Sequence, residues 1–99
     1  MTCSNANNYV QRGNTVRLIA RFKDWDDEPI NPGEVKIIIY DRRWNRLFDQ
    51  VLTSDPSSEV GRYHFDYIPD AVGVFYIEWQ GRLDGQPSLY RTTLTVRDL

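Results

Sequence analysis

Apolar and polar residues alternate with a period of two along most of this chain, the spacing of half-buried strands rather than of helices. In TVRLIARF, Val16, Leu18, Ala20 and Phe22 share one face against Arg17, Arg21 and Lys23, and Ile19 breaks the outer face. VKIIIY is apolar on both faces and suits a central strand, whereas RLFDQVL is weaker and is expected at an edge. RYHFDY sets Tyr63, Phe65 and Tyr67 against Arg62, His64 and Asp66. VFYIEWQ sets Phe75, Ile77 and Trp79 against Tyr76, Glu78 and Gln80. LYRTTLTVR groups Tyr90, Thr92, Leu94 and Val96 against Arg91, Thr93, Thr95 and Arg97. Between the runs stand PINPG, RRWN, SDPSSEVG, PDAVG and LDGQP, all rich in turn formers. Asp84-Gly85 suits a tight turn, so the last two strands are expected to be antiparallel neighbours. The pattern predicts an all-β domain of about seven strands, a sandwich or small barrel with Greek-key connections, over residues 9–99. Residues 1–8 are polar and Asn-rich and read as a flexible tail.

Composition narrows the function classes. At 99 residues the chain holds one core, and 40% apolar with 13% aromatic content is enough to pack it. A net charge of −2 and no basic stripe argue against nucleic-acid binding. No apolar run approaches the roughly 20 residues of a membrane span. Met1 is followed by neither a basic region nor an apolar run, so no export signal is expected, and synthesis in the cytoplasm follows. Cys3 is the only cysteine and reads as a free thiol on the tail. Of twelve basic residues only Lys23 and Lys36 are lysines; the arginine bias suits contact surfaces, because the guanidinium pairs with carboxylates and stacks on rings.

Beyond the alternation, the segments VRLIARFKDWDDEPINPGEVKIIIYD, GRYHFDYIP, GVFYIEWQG and YRTTLTV resemble the bacterial immunoglobulin-like modules. The matching features are Phe22-Lys23-Asp24, the turn from Pro29 to Val35, Gly61 to Tyr67, and Gly73 to Gly81, so the resemblance covers the chain from about residue 13 onward. It implies an immunoglobulin-like antiparallel β-sandwich, without the paired core cysteines of antibody domains. A short copy lacking an export signal is similar to the immunoglobulin-like structural proteins of tailed bacteriophages. That similarity implies a component of the head, neck or tail of a virion, assembling with copies of itself or with other particle proteins.

Candidate chemistry is sparse. Asp24, Asp26, Asp27 and Glu28 could offer oxygens to Ca²⁺, but the calcium-loop pattern lacks its glycine and Pro29 follows directly, so a turn accounts for them better. His64 is the only histidine; it shares a strand face with Asp66, and no motif places a nucleophile beside it. No enzyme, metal site or cofactor is therefore expected. Trp79 belongs to the core by its alternation. Trp25 and Trp44 lie in connections among charges. Each could fold back over the rim as a plug, the nearer expectation for Trp25, or mark a contact surface, an equally good one for Trp44. The expected protein interface is Trp25, Asp26, Asp27 and Glu28 on one connection with Arg42, Arg43, Trp44 and Arg46 on another, acid meeting arginine between identical copies. The strand around Phe48 to Leu52 is expected to add pairing at an edge. The alternative is a carbohydrate- or receptor-binding accessory module with Trp44 and Tyr40 or Trp25 as its platform.

Overall fold

The computed structural model describes residues 9–53, 59–83 and 85–98. Among them are seven strands and no helix: β1 (Tyr9–Gln11), β2 (Val16–Arg21), β3 (Gly33–Tyr40), β4 (Arg46–Leu52), β5 (Arg62–Tyr67), β6 (Gly73–Leu83) and β7 (Gln86–Arg97). They form two sheets of a β-sandwich, one of five strands in the order β1-β7-β6-β3-β4 and one of two, β2-β5. All pairs are antiparallel except β1 with β7. The chain crosses between sheets after β1, β2, β4 and β5, and makes hairpins at β3–β4 and β6–β7. The expected tail over residues 1–8 with Cys3, positions 54–58 of the Ser- and Asp-rich turn, and Asp84 lie outside the described residues.

The period-two faces explain which side chains the sheets enclose. Leu18, Ala20, Phe22, Val35, Ile37, Ile39, Tyr63, Phe75, Ile77, Trp79, Leu94 and Val96 form one buried cluster between them. Phe48, Phe65, Tyr67 and Tyr90 pack half-buried at its margin, Phe48 stacked on Phe65 with ring centroids 5.1 Å apart. RLFDQVL lies at an edge, as its weak pattern predicts, and the last two strands are antiparallel neighbours. The parallel strand β1 is one that period counting passes over, because three residues carry too little alternation to register.

The crossing from β2 to β3 turns on Gly61. Phe22 N–H donates to the Gly61 carbonyl at 2.8 Å, Gly61 N–H donates to Asn31 Oδ1 at 2.7 Å, and Ile30 N–H donates to the Phe22 carbonyl at 3.1 Å. The end of β2, the Pro-rich crossing and the start of β5 are thereby held together at one glycine.

Two aspartates build two nearly identical turns. Asp24 Oδ1 accepts the backbone N–H of Asp26 at 2.9 Å and of Glu28 at 3.0 Å, while Asp27 N–H closes on the Asp24 carbonyl at 3.1 Å. Seventeen residues on, Asp41 Oδ1 accepts the N–H of Arg43 at 2.8 Å and of Asn45 at 2.9 Å, and Trp44 N–H closes on the Asp41 carbonyl at 3.0 Å. In each the fourth residue is left-handed, with φ 65° at Asp27 and 65° at Trp44. This is a tight turn followed by a bulge residue, the form that joins antiparallel strands through three-residue loops. The carboxylates between Asp24 and Glu28 thus have a structural reading, since Asp24 organises the turn and the others ride on it.

Candidate functional site

The outward face of the five-stranded sheet is where the fold departs from a solvated surface. Its outward positions are Tyr40, Ile38 and Lys36 on β3, Tyr76, Glu78 and Gln80 on β6, and Arg91 and Thr93 on β7, by the same alternation that sends their neighbours inward. Tyr40 lies directly opposite Tyr76, and Glu78 lies between Ile38 and Arg91. Ile38 is fully buried although it points away from the core, and Glu78 is only 2% exposed. A carboxylate covered to that degree requires partners. Arg91 Nε donates to Glu78 Oε1 at 2.6 Å, and Gln80 Nε2 and the Tyr40 hydroxyl donate to Oε2 at 2.6 and 3.4 Å. Arg46 continues the network, hydrogen-bonded to Tyr40 and paired with Asp49 at 3.2 Å, so four strands are linked in one polar line.

Trp44 closes over this line. Its ring stacks on Tyr76 with centroids 4.2 Å apart and planes 5° from parallel, lies 5.4 Å from Tyr40, and has the Arg91 guanidinium carbon 5.3 Å from its centroid. Half of the residue, 49%, remains open to solvent. A left-handed backbone is an outlier for a bulky side chain, since glycine or asparagine normally takes that place in such a turn. The Asp41 carboxylate holds the turn: Asn45, through its backbone N–H and then its side-chain amide, keeps the Asp41 carboxyl below the usual carboxylate range. The backbone is therefore fixed in a conformation that aims tryptophan at the sheet.

The two tryptophans differ in placement, and only for Trp25 does the structure depart from the nearer expectation. Trp25, the nearer candidate for a rim plug, is 79% exposed. Trp44 is the one that folds back. The reason lies in turn position: Trp25 is the second residue of its turn and points outward, while Trp44 occupies the fourth, left-handed one. The other expected contact residues, Asp26, Asp27, Glu28, Arg42, Arg43 and Arg46, are all exposed. The structure does not bring the two sets together within one copy. They sit at opposite ends of β3, whose eight residues span about 25 Å. His64 and Asp66 share the outward face of β2–β5, where Arg17 occupies both Asp66 oxygens at 2.8 and 3.0 Å. Among the described residues, no group of three or more His, Cys, Asp or Glu side chains is placed to hold a metal ion. Beyond Gln80, at the far end of the same outward face, lies an open hollow of about 500 Å³ edged by Glu34, Lys36, Val51, Arg82, Pro87 and Leu89.

Acid should loosen this face. Burial alone pushes the Glu78 carboxyl up, but the hydrogen bonds from Arg91 and Gln80, with the attraction of Arg91, outweigh it and hold the group below its ordinary value. Asp66 is likewise held low, chiefly by its hydrogen bond from Arg17. A carboxyl lowered in the folded state stabilises above its unfolded pKa, about 4.3 for glutamate, and that stabilisation is lost as pH falls through the folded value. The melting temperature should therefore fall below about pH 4. Glu78→Gln should melt lower than the native chain at neutral pH and converge toward it in acid, as read by thermal melts across pH.

In comparisons with known proteins the chain matches no family model and no curated relative.

Proposed function

We propose that the chain is a non-catalytic interaction module that docks a protein partner on the outward face of its five-stranded sheet, with Trp44 at the centre. One observation carries the reading: a tryptophan held in a glycine conformation, stacked flat on Tyr76 and flanked by an arginine whose carboxylate partner is buried. Tryptophan, tyrosine and arginine are the side chains that most often dominate binding energy, and they do so when preorganised in one cluster. The Arg91–Glu78 pair and the Asp41 turn supply that preorganisation. The fold is read as an immunoglobulin-like Greek key, supported by the sheet order, by β1 lying beside β7, and by the four crossings between sheets. Together with the sequence resemblance, this favours a place among the structural components of a phage-like particle, where a rigid sandwich holds a contact surface in a fixed position.

Trp44→Gly is the variant that separates docking from folding. Removing the half-buried ring costs about 2 kcal/mol of apolar burial, and glycine returns about 1 kcal/mol by accepting the left-handed backbone. A net loss of about 1 kcal/mol is expected, while retention of a protein partner in quantitative co-purification should disappear. A variant that keeps its partner would overturn the proposal. The hollow beside Gln80 and Arg82, on the same outward face as the half-open Trp44 ring though at its far end, favours a second reading in which this face takes a saccharide. A glycan array decides between the two, because a protein-docking surface should leave it blank.

A further inference from the structure

The turns built by Asp24 and Asp41 stand at opposite ends of β3, and each end carries half of a contact. At the first, Trp25 projects into solvent, 79% exposed. Its backbone is fixed, because Asp24 Oδ1 holds the N–H groups of Asp26 and Glu28 and Lys23 bridges to Pro29 below. An aromatic side chain already held on a rigid turn gives up little freedom on docking, which suits it to be an anchor. At the other end a second hollow, of about 350 Å³, opens between the Asp41 turn and the connection from β5 to β6. It is edged by Arg42, Leu47, Asp70, Val72 and Val74, with Leu47 and Val72 each 50% exposed. The charges divide in the same way. None of the ion pairs among the described residues uses Asp26 or Glu28 beside Trp25, Arg42 or Arg43 on the Asp41 turn, or Asp70. The Asp41 carboxylate, also at this rim, is taken up by the backbone of Arg43 and Asn45 and by the Asn45 amide.

We infer that the two ends meet between copies of this chain, Trp25 of one copy entering the hollow of the next. A hollow of this size takes an indole ring, whose faces then lie against Leu47, Val72 and Val74, while the indole N–H donates to the Asp70 carboxylate. Asp26 and Glu28 come to face Arg42 and Arg43 of the next copy, so the acids left over at one end meet the arginines left over at the other. That double match selects a second copy as the occupant. An apolar ring alone would fill the hollow and leave the arginines unanswered, whereas the Trp25 turn brings ring and carboxylates together on one rigid support. Anchor and hollow are different surfaces at opposite ends, so the contact is heterologous, and copies add head to tail rather than pairing about a two-fold axis.

Sedimentation velocity over a concentration series tests this with exposed residues whose replacement spares the core. The native chain should associate, and high salt should weaken the association, because the charges that meet are exposed ones. Trp25→Ala removes the anchor, and Val72→Glu fills the hollow and sets a carboxylate against the incoming acids. Each should raise the Kd about tenfold or more. Mixed in equal amounts, the two variants should form a complex that stops at two copies, since one intact anchor then meets one intact hollow and both outer ends are disabled. A native chain that stays monomeric throughout, either variant associating as well as the native chain, or a mixture that forms no complex or grows beyond two copies would each overturn the proposal. Melting temperatures within a few degrees of the native value confirm that both variants are folded.

Discussion

Gly61→Ala should lose about 3 kcal/mol of stability, a large part of what a domain of this size holds. A methyl group there would lie 2.4 Å from the Phe22 carbonyl oxygen and 3.0 Å from that of Ile30. Both are backbone atoms, and the Phe22 carbonyl already accepts the Ile30 N–H, so neither can turn aside as a side-chain tip would. The φ of +80° adds a conformational penalty of about 1 kcal/mol for any L side chain. Gly13→Ala separates the two causes. Gly13 also has a positive φ, +91°, yet nothing stands within 4 Å of the added carbon, so that variant should lose only about 1 kcal/mol. Denaturant melts of the pair measure the difference. Equal losses would mean that the close approach of Phe22 is relieved by the backbone.

Trp79→Ala should cost about 3–5 kcal/mol and lower the melting temperature by about 20 °C. Trp79 is 1% exposed, lies between Ile37 and Tyr90 on neighbouring strands, and is the largest fully buried side chain. The void left by its removal cannot close, because the strands on either side are held in register by their own hydrogen bonds. Tryptophan fluorescence supplies an independent reading. Trp25 and Trp44 are wet, so the blue-shifted component of the emission belongs to Trp79 and should vanish in Trp79→Phe, which should fold with a smaller loss.

Those two effects reside in parts of the fold that differ in how legible they are from the residues alone. Trp79 is read directly, because a period of two fixes its neighbours Phe75 and Ile77 on the same buried face. Gly61 can be recognised as a turn residue, but the approach of Phe22 depends on a crossing between sheets that local pattern does not carry. The candidate site divides in the same way. That Tyr76, Glu78, Gln80 and Arg91 point outward follows from alternation. That Glu78 is covered does not, because its partners Arg91 and Tyr40 come from neighbouring strands, with Gln80 two residues along its own. The different placement of Trp25 and Trp44 had a usable signal: Asp24 and Asp41 begin the same turn, and the third residue after each takes the left-handed backbone. Only the second turn puts tryptophan there. The separation of the acidic loop from the arginine loop follows from the length of the strand between them.

The outward face around Trp44 is proposed to meet a protein. Site-specific photo-crosslinking tests it most directly, with the reactive side chain at Thr93, directly opposite Tyr76, and a control at His64 on the outward face of the other sheet. A discrete protein adduct from position 93, absent from position 64 and lost when Trp44→Gly is added, is the predicted result. Adducts of equal yield from both faces, or an adduct from position 93 that survives Trp44→Gly, would contradict it.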